Sequence, residues 1–279
     1  MDMKKIAKEA LKIMEQGYYE VDGRRVEIGR QQASAVEDSI LLTPDQGEAL
    51  LADLEKGRDG AGGFGRQTDR AAFTVKNCGT VQAILELAAE GKAPGVLNFA
   101  SAKNPGGGFM NGAVAQEETL AASGCLYRTQ IAHREYYESN RACGTMMYTN
   151  YAIFSPDVVF FRDGRTRLLE EPVTASVLTL PAVNMGQVLL KGEDVAEAER
   201  VMKRRMKLSL AIFSRQGCRD LVLGAYGCGV FRNDPVKIAG WWKELLEEWF
   251  PAAFDTVVFA VLDRSGTGKC LQAFERTFS

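Results

Sequence analysis

Near the start of this chain, apolar residues recur at helical spacing in two segments. In the stretch between these segments, apolar and polar residues alternate along the sequence. Residues 3–17 and 43–56 carry apolar side chains on one helical face, so each segment predicts an amphipathic helix. Residues 19–28 alternate with a period of two and predict one short strand. Residues 57–70 are rich in glycine, arginine and aspartate, which predicts a loop.

That loop marks the predicted boundary between two parts of the chain. We expect residues 1–65 to form an N-terminal accessory helical extension, packed on a main domain of residues 66–279. In the main domain, the predicted strands are residues 71–75, 95–100, 151–154, 158–161, 173–180, 221–223 and 256–262. The predicted helices are residues 80–89, 116 to about 137, 194–216, 235–249 and 268–278. Strands separated by helices predict a layered α/β fold, and a hairpin signal at Asp163 and Gly164 predicts a mixed sheet.

The composition is that of a folded protein without a strong charge of either sign. Hydrophobic residues make up 46% of the chain, enough for a full core, and the formal net charge is −2. This charge disfavours non-specific binding of nucleic acid. Five basic residues cluster in the predicted helix of residues 194–216: Arg200, Lys203, Arg204, Arg205 and Lys207. We interpret them as the solvated face of an amphipathic helix.

The absence of targeting signals predicts where the protein is located, and the cysteines and histidine limit which kinds of site it can contain. No apolar run approaches the roughly 20 residues that span a bilayer. The N-terminus lacks the apolar segment of a signal peptide, so we expect a cytoplasmic protein without membrane association. The six cysteines are scattered and predict reduced thiols rather than disulfides or a zinc site. The single histidine, His133, excludes a histidine-rich metal site and would have to serve in any Ser-His-Asp relay.

Two glycine-rich loops each follow a predicted buried strand and precede a predicted helix. The first contains Gly106, Gly107 and Gly108, and the second contains Gly224, Gly227 and Gly229. Open α/β sheets bind ligands beyond the carboxyl ends of their strands, and backbone N–H groups in such loops suit phosphate oxygens. No lysine or arginine adjoins these glycines, which favours a diphosphate held mainly by backbone amides. The alternative is that both loops are only tight turns between strand and helix.

Neither loop has the spacing of a standard nucleotide-binding motif. The second loop reads G-x-x-G-x-G rather than the G-x-G-x-x-G of dinucleotide-binding folds. Residues 265–269 end like a P-loop, but they lack its first glycine, and Cys270 replaces the serine or threonine. We interpret residues 265–269 as a fortuitous match.

A polar triplet, Gln116, Glu117 and Glu118, follows the first glycine-rich loop at the start of a predicted helix. Acidic residues at this place are also favoured simply by the helix dipole. Beside a bound diphosphate-ribose, however, a carboxylic acid could protonate a glycosidic oxygen. The resulting carboxylate could then activate water for attack on the sugar.

The triple glycine, seven further residues and the Gln-Glu-Glu triplet together resemble the signature of poly(ADP-ribose) glycohydrolases. The segments 98–113, 151–158, 181–184 and 224–231 resemble the compact bacterial-type branch of that family. The resemblance covers most of the chain from about residue 70 onward. It implies a macrodomain-like fold, in which a mixed β-sheet is sandwiched between helices and binds ADP-ribose.

The resemblance also implies a role for each matching residue. Glu118 would be the catalytic acid and base, and Glu117 would orient the hydroxyls of the terminal ribose. Phe231 would pack against the ligand. The residues expected to bind substrate are Asn98, Gly106, Gly107, Gly108, Phe109, Gln116, Gly227, Cys228, Gly229, Val230 and Phe231. Neither a metal ion nor another cofactor is implied.

The leading functional hypothesis is hydrolysis of ribose–ribose O-glycosidic bonds in poly(ADP-ribose), with release of ADP-ribose from chain ends. The expected partners are an ADP-ribose polymer or ADP-ribosylated macromolecule as substrate and ADP-ribose as product, without an obligate protein partner. One alternative is removal of single ADP-ribose groups from protein or nucleic acid. Another is a non-catalytic ADP-ribose-binding module, against which the presence of both Glu117 and Glu118 argues.

Overall fold

The computed structural model describes residues 2–59 and 71–279. Its helices are α1 (Met3–Gln16), α2 (Gly29–Glu37), α3 (Pro44–Asp59), α4 (Thr80–Ala89), α5 (Gln116–Ser123), α6 (Leu126–Ala132), α7 (Arg134–Ala142), α8 (Met185–Lys191), α9 (Val195–Arg215), α10 (Pro235–Glu248) and α11 (Lys269–Phe278). Its strands are β1 (Tyr18–Val21), β2 (Arg24–Glu27), β3 (Ile40–Leu42), β4 (Ala72–Lys76), β5 (Gly95–Ala100), β6 (Ala152–Arg162), β7 (Leu168–Pro181), β8 (Asp220–Leu223) and β9 (Thr256–Ala260). No helix among these residues is long and apolar enough to cross a membrane.

Seven strands form one mixed sheet in the order β3-β6-β7-β5-β8-β9-β4. The pairs from β7 through β5, β8 and β9 to β4 are parallel, whereas β3–β6 and β6–β7 are antiparallel. Helices cover both faces, so β5 is buried on each side: Leu97 packs toward α9 and α10, and Val96 packs toward α4. The predicted mixed sheet between helices is confirmed.

The first helix agrees with the sequence prediction, but the strand that follows does not. Helix α1 ends at Gly17, which adopts the left-handed conformation typical of a helix end. The single strand predicted for residues 19–28 is wrong, because β1 and β2 form an antiparallel hairpin. Asp22 and Gly23 both have positive φ, which reverses the chain within two residues.

Two predicted strands are joined into one in the structure, and one predicted helix is divided into three. The strands predicted at residues 151–154 and 158–161 are a single strand, β6, with a bulge that shifts the pairing register between Ser155 and Val158. The helix predicted from residue 116 to about 137 is three helices, α5 to α7. The extended backbone of Gly124 separates α5 from α6, and this position requires glycine because a Cβ atom there would collide with the carbonyl of Val159.

The N-terminal region contributes directly to the main sheet. Strand β3 pairs with β6 at one edge, and α1 packs against α5. Neither β3 nor the short helices α2 and α8 was predicted from the sequence. The predicted boundary between residues 65 and 66 lies outside the described residues, so the division into extension and main domain stays a prediction.

The basic residues of α9 do not form the uniformly solvated face that was predicted. Its surface ion pairs join Arg200 to Glu197, Lys203 to Glu244 and Arg204 to Glu48. In contrast, Arg205 is only 1% exposed and Lys207 only 6% exposed. The prediction is therefore wrong for Arg205 and Lys207.

Arg205 connects three segments of the chain from inside the protein. Its guanidinium donates hydrogen bonds to Asn150 Oδ1 at 2.9 Å, to the Pro181 carbonyl at 2.9 Å and to the Tyr148 carbonyl at 3.3 Å. Burial lowers the pKa of Arg205. These three acceptors satisfy a buried cation and fix the end of β7 against the loop before β6.

We expect Arg205→Met to lower the free energy of unfolding by about 2–4 kcal/mol, because three acceptors lose a charged donor. The matched control on the same helix is Arg200→Met, which removes only an exposed ion pair and should leave the stability nearly unchanged. Urea unfolding of both variants measures the difference. Equal losses would contradict the structural role of Arg205.

Candidate active site

A cleft of roughly 1790 Å³ opens where the parallel strands β5, β8 and β9 end. Both glycine-rich loops border it, although they are more than 100 residues apart in the sequence. Glu117 and Glu118 border the same cleft, with Glu117 almost fully buried and Glu118 half-buried. The topology thus brings the predicted anion-binding loops and the predicted acids together.

The first glycine-rich loop lies directly against the two acidic side chains. Gly106 and Gly107 have φ values of 64° and 58°, in the left-handed region that favours glycine. A Cβ atom on Gly107 would collide with the Glu118 carboxylate and lie 3.0 Å from Glu117 Oε2. The loop therefore requires glycine at position 107, both for its backbone conformation and for its approach to the acids.

Glu118 is held by backbone N–H groups on two sides. The N–H of Gly108 donates to Glu118 Oε1 at 2.9 Å, and the N–H of Ala115 donates to Oε2 at 3.2 Å. The second bond caps α5, because the side chain in its first turn reaches back to the residue before the helix. Glu118 is half-buried and remains accessible from the cleft.

Glu117 occupies a different environment, although it is the adjacent residue. It is 3% exposed, and its carboxylate accepts hydrogen bonds from the Ser101 N–H at 2.7 Å, Gln130 Nε2 at 2.8 Å and Asn98 Nδ2 at 3.2 Å. Burial raises the pKa of Glu117 to about 8. The three hydrogen bonds act in the opposite direction, and the charge of Glu118 adds to the increase.

Gln130 connects this buried acid to the glycine-rich loop. Its Nε2 donates to Glu117, and its Oε1 accepts from the Gly106 N–H at 2.9 Å. Gln130 is fully buried in α6 and was not predicted from the sequence. No local pattern indicates it, since the contact depends on the chain reversal between α5 and α6.

Three predicted substrate-binding residues support the loop from behind. Asn98 is fully buried and donates to Glu117. Phe109 is also buried, with its ring centroid 5.1 Å from that of Tyr127. The amide of Gln116 donates to the Leu97 carbonyl at 2.8 Å and accepts from the Phe99 N–H at 2.9 Å, so it braces β5. The structure places all three in packing roles, and their direct contact with substrate stays a prediction.

The second glycine-rich loop borders the cleft and carries backbone N–H groups without acceptors in the described part of the chain. Gly227 has a φ of 73°, and the Asn233 side chain fixes it by donating to its carbonyl at 3.1 Å. Within residues 2–59 and 71–279, no acceptor receives a hydrogen bond from the N–H groups of Gly229, Val230 and Phe231. Three successive N–H groups without a protein acceptor form a site suited to phosphate oxygens.

The side chains of the second loop differ in exposure. Cys228 is half-buried, with its Sγ 3.8 Å from the Tyr226 carbonyl, whereas Val230 is 84% exposed. Phe231 borders the cleft, and its ring centroid lies 6.2 Å from that of Tyr148. An aromatic side chain thus stands beside the backbone donors.

Other candidate chemistry lies away from the cleft or is blocked. His133 Nε2 is 2.7 Å from the hydroxyl of Ser39, but that hydroxyl donates to the Val36 carbonyl, and neither residue borders the cleft. The P-loop-like residues lead into the start of α11. There the N–H of Cys270 already donates to the Asp263 carboxylate at 2.9 Å, so a carboxylate rather than a phosphate occupies this helix start. In the described part of the chain, no three His, Cys, Asp or Glu side chains are arranged to hold a metal ion.

Comparison with known proteins identifies the family. The profile described as "Microbial-type PARG, catalytic domain" matches residues 7–163. The chain belongs to the microbial-type family of poly(ADP-ribose) glycohydrolases (PARG). This confirms the resemblance found in the sequence, and the PARG assignment accounts for the macrodomain-like sheet described above. Among curated proteins, none matches the chain.

Solved PARG structures align with nearly the whole chain. Poly(ADP-ribose) glycohydrolase from Thermomonospora curvata is 38% identical over 99% of both chains, with a TM-score of 0.93. The same enzyme bound to the inhibitor ADP-HPD is 37% identical over 99% of both chains, with a TM-score of 0.90. The enzyme from Deinococcus radiodurans in complex with ADP-ribose is 36% identical over 93% of this chain and 98% of that chain, with a TM-score of 0.80.

We expect the stability of this protein to fall as pH rises from about 4.5 to about 8. In that range the folded protein retains a proton on Glu117, whose pKa is raised to about 8, while the unfolded chain releases it. The Glu117→Gln variant cannot ionise and lacks this contribution. Relative to the variant, the unmodified protein should therefore lose several kcal/mol of unfolding free energy across the range. Urea unfolding at pH 5 and pH 8 tests this; parallel pH profiles would contradict it.

We expect Gly107→Ala to lower the free energy of unfolding of this protein by about 2 kcal/mol or more. The left-handed backbone penalises a side chain, and the new methyl group collides with Glu118. The matched control is Gly240→Ala, which fills open space in helix α10 and raises the stability by about 0.5–1 kcal/mol. Thermal or urea unfolding measures both changes, and equal stability of the two variants would refute the steric argument.

Proposed function

We propose that this protein hydrolyses the ribose–ribose O-glycosidic bonds of poly(ADP-ribose) and releases ADP-ribose from chain ends. One observation supports this most directly: the Glu118 carboxylate, accessible from the cleft, is held against a glycine loop beside a second, buried acid. Family membership agrees with it, since the relatives are poly(ADP-ribose) glycohydrolases.

Glu118 acts first as an acid and then as a base. Its carboxyl group donates a proton to the glycosidic oxygen, the bond from that oxygen to the ribose carbon breaks, and the remaining polymer leaves as an alcohol. The Glu118 carboxylate then takes a proton from water as the water oxygen attacks the cationic sugar carbon. The products are free ADP-ribose and a polymer shortened by one unit, and Glu118 is again protonated.

Glu117 orients the sugar whose glycosidic oxygen Glu118 protonates. Its contacts with Asn98, Gln130 and Ser101 fix its position below the glycine loop. Because burial raises its pKa to about 8, it is largely neutral near pH 7. A neutral Glu117 can donate a hydrogen bond to a ribose hydroxyl, and it adds no second negative charge beside a diphosphate.

The second glycine-rich loop binds the diphosphate. The N–H groups of Gly229, Val230 and Phe231 supply its donors, and the Phe231 ring packs against the ligand. ADP-ribose bound to the relative from Deinococcus radiodurans supports this ligand. Backbone donors can hold a diphosphate without a basic side chain, and no lysine or arginine adjoins Gly227 or Gly229 in the sequence.

We also propose an accessory role for residues 1–65 and a cytoplasmic location. Helix α1 packs on α5, which carries both acids, so the N-terminal segment supports the main domain.

The proposed cytoplasmic location is supported by the cysteines. All six are free thiols, as expected in a reducing compartment.

We expect Glu118→Gln to reduce turnover of labelled poly(ADP-ribose) by at least roughly a hundredfold, because the variant lacks the acid and base. Its affinity for ADP-ribose, measured by calorimetry, should stay close to that of the unmodified protein. The matched control, Glu138→Gln, alters an exposed glutamate of α7 and should keep full turnover.

The same assay should compare the polymer with mono-ADP-ribosylated protein and nucleic acid. Faster cleavage of either mono-ADP-ribosylated substrate would replace the polymer hypothesis with a mono-ADP-ribosyl hydrolase. Near-normal turnover by Glu118→Gln would disprove the proposed role of Glu118.

A further inference from the structure

Helix α1 carries an exposed row of positive charge on the face opposite the core. The row consists of Lys4, Lys5, Lys8 and Lys12, which we call the α1 lysine ridge. All four are exposed and fall within an arc of roughly 100° around the helix axis, since each residue turns by about 100°. The buried residues Ala7, Ala10 and Met14 lie on the opposite face.

The charges of the α1 lysine ridge are not neutralised by nearby acids. In the described part of the chain, no carboxylate forms an ion pair with any of the four lysines. The acids of the helix are otherwise engaged or distant: Asp2 accepts from the backbone N–H groups at the helix start, and Glu9 pairs with Arg162. Glu15 lies on the same arc three residues after Lys12, so it is a neighbour of that one lysine, but the two form no ion pair.

The ridge begins beside the active-site loop. Met3 borders the cleft, and α1 packs against the short helix Phe109–Asn111 that follows the triple glycine. At Gly112, with a φ of 82°, a Cβ atom would lie 3.0 Å from Lys4 Cγ. From Lys4 to Lys12 the ridge then runs about 12 Å away from the cleft, at about 1.5 Å per residue.

The proposed reaction places a polyanion on this side of the cleft. In the proposed reaction Glu118 protonates the oxygen through which the rest of the polymer is attached, so that polymer begins beside the loop that holds Glu118, next to the short helix against which α1 packs. Every ADP-ribose unit in it carries a diphosphate with about two negative charges. With a net charge of −2, the protein as a whole offers no general attraction for such a chain.

We propose that the α1 lysine ridge binds diphosphates of the polymer beyond the scissile bond, as a second anion-binding surface outside the catalytic cleft. This inference rests on the proposed function for the identity of the polymer. The ridge increases the affinity for long substrates and leaves the affinity for free ADP-ribose unchanged, because ADP-ribose does not reach past the loop.

The test compares two variants with the same total charge. The ridge variant replaces Lys4, Lys5, Lys8 and Lys12 with glutamine, and the control variant replaces Lys56, Lys191, Arg215 and Arg276, which are exposed on other helices, with glutamine. Both proteins are assayed for kcat/KM on long polymer at several salt concentrations, for binding of labelled polymer, and for binding of ADP-ribose.

We expect the ridge variant to lose roughly tenfold or more in kcat/KM on polymer at low salt, mainly through KM, and to bind ADP-ribose normally. The slope of log affinity for polymer against log salt should fall by up to about 3, because each phosphate contact contributes about 0.7. The control variant should change little. A triple variant of Lys5, Lys8 and Lys12 should show most of the effect while Lys4 remains beside Gly112.

Distinct outcomes separate failure of this inference from failure of the proposed function. If the ridge and control variants lose polymer affinity equally, general charge explains the effect and the ridge proposal is wrong. If a single-stranded oligonucleotide loses affinity for the ridge variant while the polymer does not, the surface serves nucleic acid and the proposal is also overturned. If the unmodified protein does not cleave polymer, the proposed function fails, and the binding comparison still decides whether the ridge recognises the polymer.

Discussion

The close approach of a glycine backbone to two adjacent carboxylates organises the active site. Gly107 can lie against Glu117 and Glu118 only because it has no Cβ atom and adopts a left-handed conformation. That approach allows the Gly108 N–H to bind Glu118, while Gln130 binds both Glu117 and Gly106. Loop and acids therefore hold each other in place, and neither has this geometry without the other.

Adjacent positions on one helix allow the two acids to differ chemically. Consecutive helical residues point about 100° apart, so Glu117 is directed into the protein and Glu118 along the loop toward the cleft. Burial raises the pKa of Glu117 and favours its neutral form. A single helical turn thus supplies one buried acid and one acid accessible from the cleft, and the proposed function assigns orientation of the sugar to the first and proton transfer to the second.

The N-terminal segment is connected to this site through packing. Helix α1 lies against α5, against the short helix after the triple glycine, and against Gly112. Phe109, which follows the triple glycine, is buried in the cluster that contains Ala7 of α1. The α1 lysine ridge stands on the outer side of the same helix, so one element both supports the first glycine-rich loop and presents charge beside it.

The sequence by itself determined the elements whose signals are local. The period of apolar residues identified β5 and α4, and the run of glycines with the Gln-Glu-Glu triplet identified the loop, the acids and the family. Only the tertiary structure decided what depends on residues far apart in the chain. It brought Gln130 to Glu117, buried Arg205 in a helix that looked solvated, and made Glu117 a high-pKa acid. Periodicity and turn signals report short-range preferences, whereas burial and hydrogen-bond partners arise only when distant segments pack together.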